Sequence, residues 1–137
     1  MRHLVASFCA LAAFCSVPAA HAEGLDQVRR GFAQAIYQDA GSDINLEAPQ
    51  PLLRAVVVLR VRLDDRGRWA AEVMRENDEQ PELTRKALAS VAHLAAAADV
   101  PAPAVEQLHR EGFVEVWLFQ NDGRFALKTL ALPQRRL

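Results

Sequence analysis

Apolar and polar residues alternate along this chain in two different rhythms. Over residues 25–39, Leu25, Val28, Phe32, Ala35 and Ile36 recur on one helical stripe, with Arg29, Arg30, Gln34 and Gln38 opposite. Gly41-Ser42-Asp43 ends that helix, and residues 44–51 form a linker closing on Pro49-Gln50-Pro51. From Ala55 to Leu63 the period drops to two. Val57, Leu59, Val61 and Leu63 point one way, and Val56, Val58, Arg60 and Arg62 the other, which predicts a β-branched strand with one buried face. Asp64-Asp65-Arg66-Gly67 supplies a turn, and a second strand runs from Arg68 to about Arg75, so these two runs form a hairpin.

Helical spacing returns at Pro81, a residue tolerated in a first turn and followed by Glu82, whose charge suits a helix N-terminus. Leu83, Ala87, Val91, Leu94 and Ala98 form its stripe, and the helix is expected to end near Ala98, before Pro101 and Pro103. Residues 105–110 read as a loop or a short helical turn. A third strand follows over residues 113–120, an Asn121-Asp122-Gly123 turn, and a fourth strand over residues 125–132. The expected fold is α+β: a small antiparallel sheet of ββαββ order with one helix packed on it, preceded by an N-terminal helix. Phe113, Trp117 and Phe119 face opposite to Val114, Val116 and Leu118, and with Val56, Val58 and Met74 both sheet faces carry apolar side chains. Either the helix at 25–39 covers the second face, or a partner or second copy of the chain does.

Ahead of these elements stands a segment with the form of an export signal. Arg2 precedes an apolar run from Leu4 to Val17, then Pro18 and an Ala20-His21-Ala22 cleavage motif. The run is shorter than the roughly 20 residues a spanning helix needs. Residues 1–22 are therefore expected to be a cleavable signal peptide, 23–50 the N-terminal helix and linker, and 51–137 the main domain. Lipid attachment at Cys15 is the competing fate, disfavoured by the bulky Phe14 before it. Both cysteines of the chain, Cys9 and Cys15, lie in this segment, so the mature protein has no disulfide, thiolate metal site or cysteine nucleophile.

Composition narrows the possibilities further. Of 137 residues, 51% are hydrophobic and 24% charged, and the net charge of −1 gives no basic excess for nucleic acid. His93 and His109 lack partners at metal-ligand spacing, Ser42 and Ser90 sit in no nucleophile elbow, and residues 76–82 do not make a calcium loop. Asp64 and Asp65 belong to turn chemistry. The expectation is a protein that is not an enzyme, with no catalytic residues, cofactor or metal. A pocket joining His109 to Asp99 or Glu106 would reopen a hydrolase or ligand-carrier reading.

The stretch from Pro51 to Leu132 resembles the C-terminal domain of TonB, the periplasmic partner of energised outer-membrane transport. The hairpin VVVLRVRLDDRGRWAAEV is similar to that family's opening strands around a D-G-R-like turn. LTRKALASV, with Leu83, Ala87, Leu88 and Val91, follows its helix pattern L-D-x-A-A-L-x-A-V, and VEVWLF with the N-D-G turn resembles its closing strand. The chain departs from the family in having a cleavable signal in place of a membrane anchor. Its linker is short, and HLAAAADVPAP replaces the aromatic-Pro at the helix end. The resemblance implies a protein-binding role in the periplasm without energy transduction. It implies strand addition at a sheet edge, with Trp117, Phe119, Phe125, Leu127 and Thr129 as partner-binding candidates and strand 125–132 as the free edge or a strand that must move aside. The partner would be a periplasmic or outer-membrane protein. The alternative is a self-associating, dimeric envelope protein with no peptide ligand.

Overall fold

A computed structural model describes residues 19–97 and 99–136. Residues 1–18, which hold most of the expected signal segment and both cysteines, lie outside the described residues. The elements are helix α1 (Ala19–Ala40) with a short 3-10 turn at Gly41–Asp43, strands β1 (Ala55–Leu63) and β2 (Trp69–Arg75), helices α2 (Pro81–Ala92) and α3 (Ala102–Arg110), and strands β3 (Phe113–Phe119) and β4 (Phe125–Leu127). They build an α+β fold with one antiparallel sheet, ordered β2-β1-β3-β4.

Two helices, not one, separate the hairpins. Pro101 and Pro103 do not merely stop the preceding helix. Pro101 is the N-cap of α3 and Pro103 lies in its first turn, where a missing N–H costs nothing. Between the helices, α2 ends at Ala92, with the His93 N–H reaching the Ala89 carbonyl at 3.0 Å. β4 is also shorter than the alternation predicts. After Leu127 the chain folds into a turn, with the N–H groups of Leu130 and Ala131 both donating to the Leu127 carbonyl.

Alternation in β1 reads directly as burial: Ala55, Val57, Leu59, Val61 and Leu63 are all inside, and the residues between them are half exposed. β3 follows suit with Phe113, Glu115, Trp117 and Phe119 inside. Cross-strand pairs Val57↔Trp117 and Val61↔Phe113 align the two apolar rows. α1 packs on this same face. Phe32 meets Trp69, Phe113 and Trp117 edge-on, with ring centroids 5.1, 5.3 and 6.4 Å away. α2 reaches the cluster from the other side, where the Ser90 hydroxyl accepts the Trp117 Nε1–H at 3.1 Å.

The alternative in which helix 25–39 shields the second sheet face is therefore corrected: α1 shares the face that α2 and α3 cover. Phe32 has its aromatic partners there, whereas the second face offers aliphatic side chains beside arginines and no aromatic ring from β1, β2 or β3. On that open face Val114 is 41% and Met74 49% exposed, among half-buried Val56, Val58, Val116 and Leu118.

Gly112 is the tightest point in the chain. It has φ +65, and a Cβ there would collide with the Val61 carbonyl oxygen. Gly112→Ala is expected to cost about 3 kcal/mol, combining left-handed strain with a displaced strand, and urea unfolding would measure it. Phe32→Ala removes the residue that joins α1 to the sheet. It should lose about 3–5 kcal/mol, with a changed near-ultraviolet signal from Trp69 and Trp117; an unaltered spectrum would mean α1 does not pack there.

Candidate interaction site

The five residues singled out from the sequence converge, but as core. Trp117, Phe119, Phe125 and Leu127 are each at most 1% exposed. Their strands place them on the helix-covered face in the rows Trp117↔Leu127 and Phe119↔Phe125, where the Phe119 and Phe125 rings pack at a 53° tilt with centroids 5.5 Å apart. Side chains so buried cannot touch a partner while the fold stands. Thr129, half buried, is occupied differently: its hydroxyl and its N–H both donate to the Glu115 carboxylate.

Nor is β4 a free edge. Phe125 and Leu127 turn their backbone groups away from β3, and the chain itself takes them up. The Asn45 N–H donates to the Phe125 carbonyl at 2.8 Å, and the Leu127 N–H donates to the Tyr37 hydroxyl at 3.1 Å. The Leu127 carbonyl closes the turn at residues 128–131. Around this edge the linker is strapped down by Gln50, whose N–H reaches Gln120 Oε1 at 3.2 Å, and by Arg135, whose N–H reaches the Pro49 carbonyl at 3.1 Å. The linker runs on into a parallel bridge partner of β4 at Ile44. Strand addition at β4 would need all of this to release.

Glu115 explains why β4 stops, and sequence reasoning missed it. Val116 accepts the Lys128 N–H at 3.0 Å, but its own N–H goes to Glu115 Oε1 at 2.9 Å instead of to a continuing strand. The carboxylate, 1% exposed, thus substitutes for ladder partners and captures Thr129 as the chain turns away. The available signal was a single acid at a core-parity position within FVEVWLF. Burial pushes the nearby Tyr37 phenol above its usual value and the Glu115 charge adds to that push, against the Leu127 N–H bond, which favours the phenolate.

The opposite edge is open. At the hairpin turn, Asp64 Oδ1 accepts the N–H groups of Arg66 and Arg68 at 2.8 and 2.9 Å; the Arg68 bond above all holds its carboxyl below the usual range. The Asp64 N–H donates to the Arg68 carbonyl at 2.9 Å, which fixes the parity of the ladder. Arg62↔Ala70 and Arg60↔Glu72 are then the hydrogen-bonded pairs, so Trp69, Ala71 and Val73 aim their N–H and C=O groups outward. Among the described residues, none outside the ladder bonds to them; the nearest is Ala97, whose N–H takes the Gly67 carbonyl just before the strand. A register shift between Val58 and Leu59 inserts Met74 at the far end of β2.

Beside Trp69 lies a groove of about 580 Å³ between α1 and residues 94–97 and 99–101, floored by Phe32 and Trp69 and rimmed by Arg30, Gln34 and Asp99. It does not join His109 to an acid. His109 Nδ1 lies 2.9 Å from the Leu63 carbonyl, and Glu106 pairs with Arg110 at 3.8 Å. No three potential metal ligands cluster among the described residues, and no described helix is long and apolar enough to cross a membrane. Comparisons with protein-family models, curated proteins and solved structures found no match to this chain.

Two outcomes follow from the Glu115 cluster. Glu115→Ala leaves the Thr129 and Val116 donors unpaired in a buried place, and is expected to cost about 2–3 kcal/mol in urea unfolding. Tyr37, the only tyrosine, should ionise above the free phenol's pKa of about 10 in a phenolate absorbance titration. Because its folded pKa is raised, the linked stability is fully present below the unfolded value and is lost as pH rises through the folded one.

Proposed function

We propose that this chain is an exported, non-catalytic interaction module of the periplasm that joins another envelope protein by strand addition, at the edge of β2. The reading takes residues 1–22 as a cleaved signal peptide and residues 51–137 as a domain resembling the C-terminal domain of TonB. It treats α3 as an addition to a ββαββ frame that an N-terminal helix precedes. The observation that carries it is the row of outward N–H and C=O groups at Trp69, Ala71 and Val73, left without partners among the described residues along a strand of seven. Such a row is a template for an extended segment, whose backbone supplies affinity while alternate side chains set specificity. Edges of this kind are ordinarily blunted by lysine, proline, a bulge or a cover; WAAEVMR contains no lysine or proline, and its bulge at Met74 lies beyond the outward row.

Relative to the resembled family, the binding edge has changed sides. The closing strand that would receive a partner there is occupied here by β4, so the role passes to the other end of the sheet. A photo-crosslinking residue in place of Val73, 39% exposed, is expected to trap a recurrent protein in intact cells. The same residue at exposed Lys128, beside the closed β4 edge, should trap none. Adducts confined to Lys128, or absent from Val73, would refute addition at β2.

A further inference from the structure

Resting on edge addition at β2, the geometry points to a second copy of this chain as the partner, its β2 paired antiparallel with the first about a two-fold axis at Ala71. Outward backbone groups belong to Trp69, Ala71 and Val73, so a symmetric ladder must match odd residues with odd residues. Centred on Ala71, it sets Ala71 against its own copy and Trp69 against Val73 of the partner subunit, each as a hydrogen-bonded pair. Aromatic with β-branched is a favourable cross-strand combination, and alanine at the axis keeps the backbones unobstructed. On the open face the same register sets Ala70 against Glu72 of the partner subunit. Glu72 then meets no like charge, and keeps Arg60 and Arg62 of its own chain at 3.7 Å.

Moving the axis one residue, to Glu72, would place the two Glu72 carboxylates opposite each other, which is unfavourable. Beyond the strand the charges are mixed: Asp65, Arg66 and Arg68 stand exposed at the start of β2, and Arg75, Glu76, Asp78 and Glu79 at its end or beyond. None of these seven forms an ion pair within the described residues. In the Ala71 register Glu76 comes opposite Arg66 of the partner subunit, twice, and Arg75 comes opposite Gly67 of the partner subunit. Over residues 69–73 the strand thus meets its own copy with no like charges opposed.

The decisive substitution is Ala71→Pro. The Ala71 N–H takes no part in the ladder with β1, so proline there removes donors only from the intermolecular pairing, a placement edge strands tolerate. Sedimentation of the purified protein should show a reversible dimer, and Ala71→Pro should weaken it by about tenfold or more through two lost hydrogen bonds. Near-ultraviolet circular dichroism checks that the variant is folded. An independent test replaces Cys9 and Cys15, the only cysteines, by serine and adds one cysteine. Ala71→Cys should oxidise to a disulfide-linked dimer, because a hydrogen-bonded pair brings Cα atoms to about 5.5 Å. Glu72→Cys should not.

Crosslinking through Glu72→Cys in preference to Ala71→Cys would overturn the register. A chain that stays monomeric at every concentration would overturn the second copy as partner. If amide exchange at Trp69, Ala71 and Val73 is then slowed by the protein trapped at Val73, edge addition stands with a different partner. If nothing slows it, edge addition fails as well.

Discussion

Everything in this molecule hangs on a core built against a single face of a single sheet. Phe32 is its keystone: it touches the aromatic rings of Trp69 on β2 and of Phe113 and Trp117 on β3, drawing α1 onto the face where α2 and α3 already lie. Apolar burial on this scale is the main favourable term in a domain of this size, at about 25 cal/mol per Å². One consequence is architectural. With the three described α-helices spent on one face, no described helix covers the other, and Val56, Val58, Val116 and Leu118 are left half exposed beside Arg60 and Arg62.

A four-stranded open sheet also has two edges, and the chain treats them differently. β4 is covered by the linker, the Tyr37 hydroxyl and its own following turn, so every outward group with a recorded bond is satisfied from within. Among the described residues, the outer edge of β2 receives only Ala97, at its entrance. The asymmetry has a sequence cause. Residues 44–54 must travel from α1 to the start of β1, and the route passes β4; the segment after α2 bonds the β2 side at its entrance, through Ala97.

Glu115 shows how a polar residue can define an element boundary. It sits at a core position, where an ionisable group is costly unless well bonded. Its oxygens take the Val116 N–H, which a longer β4 would have used, and both donors of Thr129. Period-two patterning through residues 125–132 predicts more strand than forms, because alternation records which side chains can face a core and not where a backbone finds better acceptors.

Local patterning determined a good deal by itself. The alternation of β1 and β3, the Asp64 and Asp122 turns and the start of α2 at Pro81 all follow from side-chain period and turn chemistry, which act within a few residues. The partner candidates Trp117, Phe119, Phe125 and Leu127 were visible as a cluster, but large apolar residues at strand parity look alike whether they pack inward or meet a partner. Three outcomes belonged to the tertiary structure: which face α1 joins, which edge is sealed, and whether Pro101 ends one helix or begins another. Each is settled between residues far apart in sequence, Phe32 with Trp117, Tyr37 with Leu127, His109 with Leu63. Periodicity carries no information about such pairings, because it describes the face a segment presents and not what arrives to cover it.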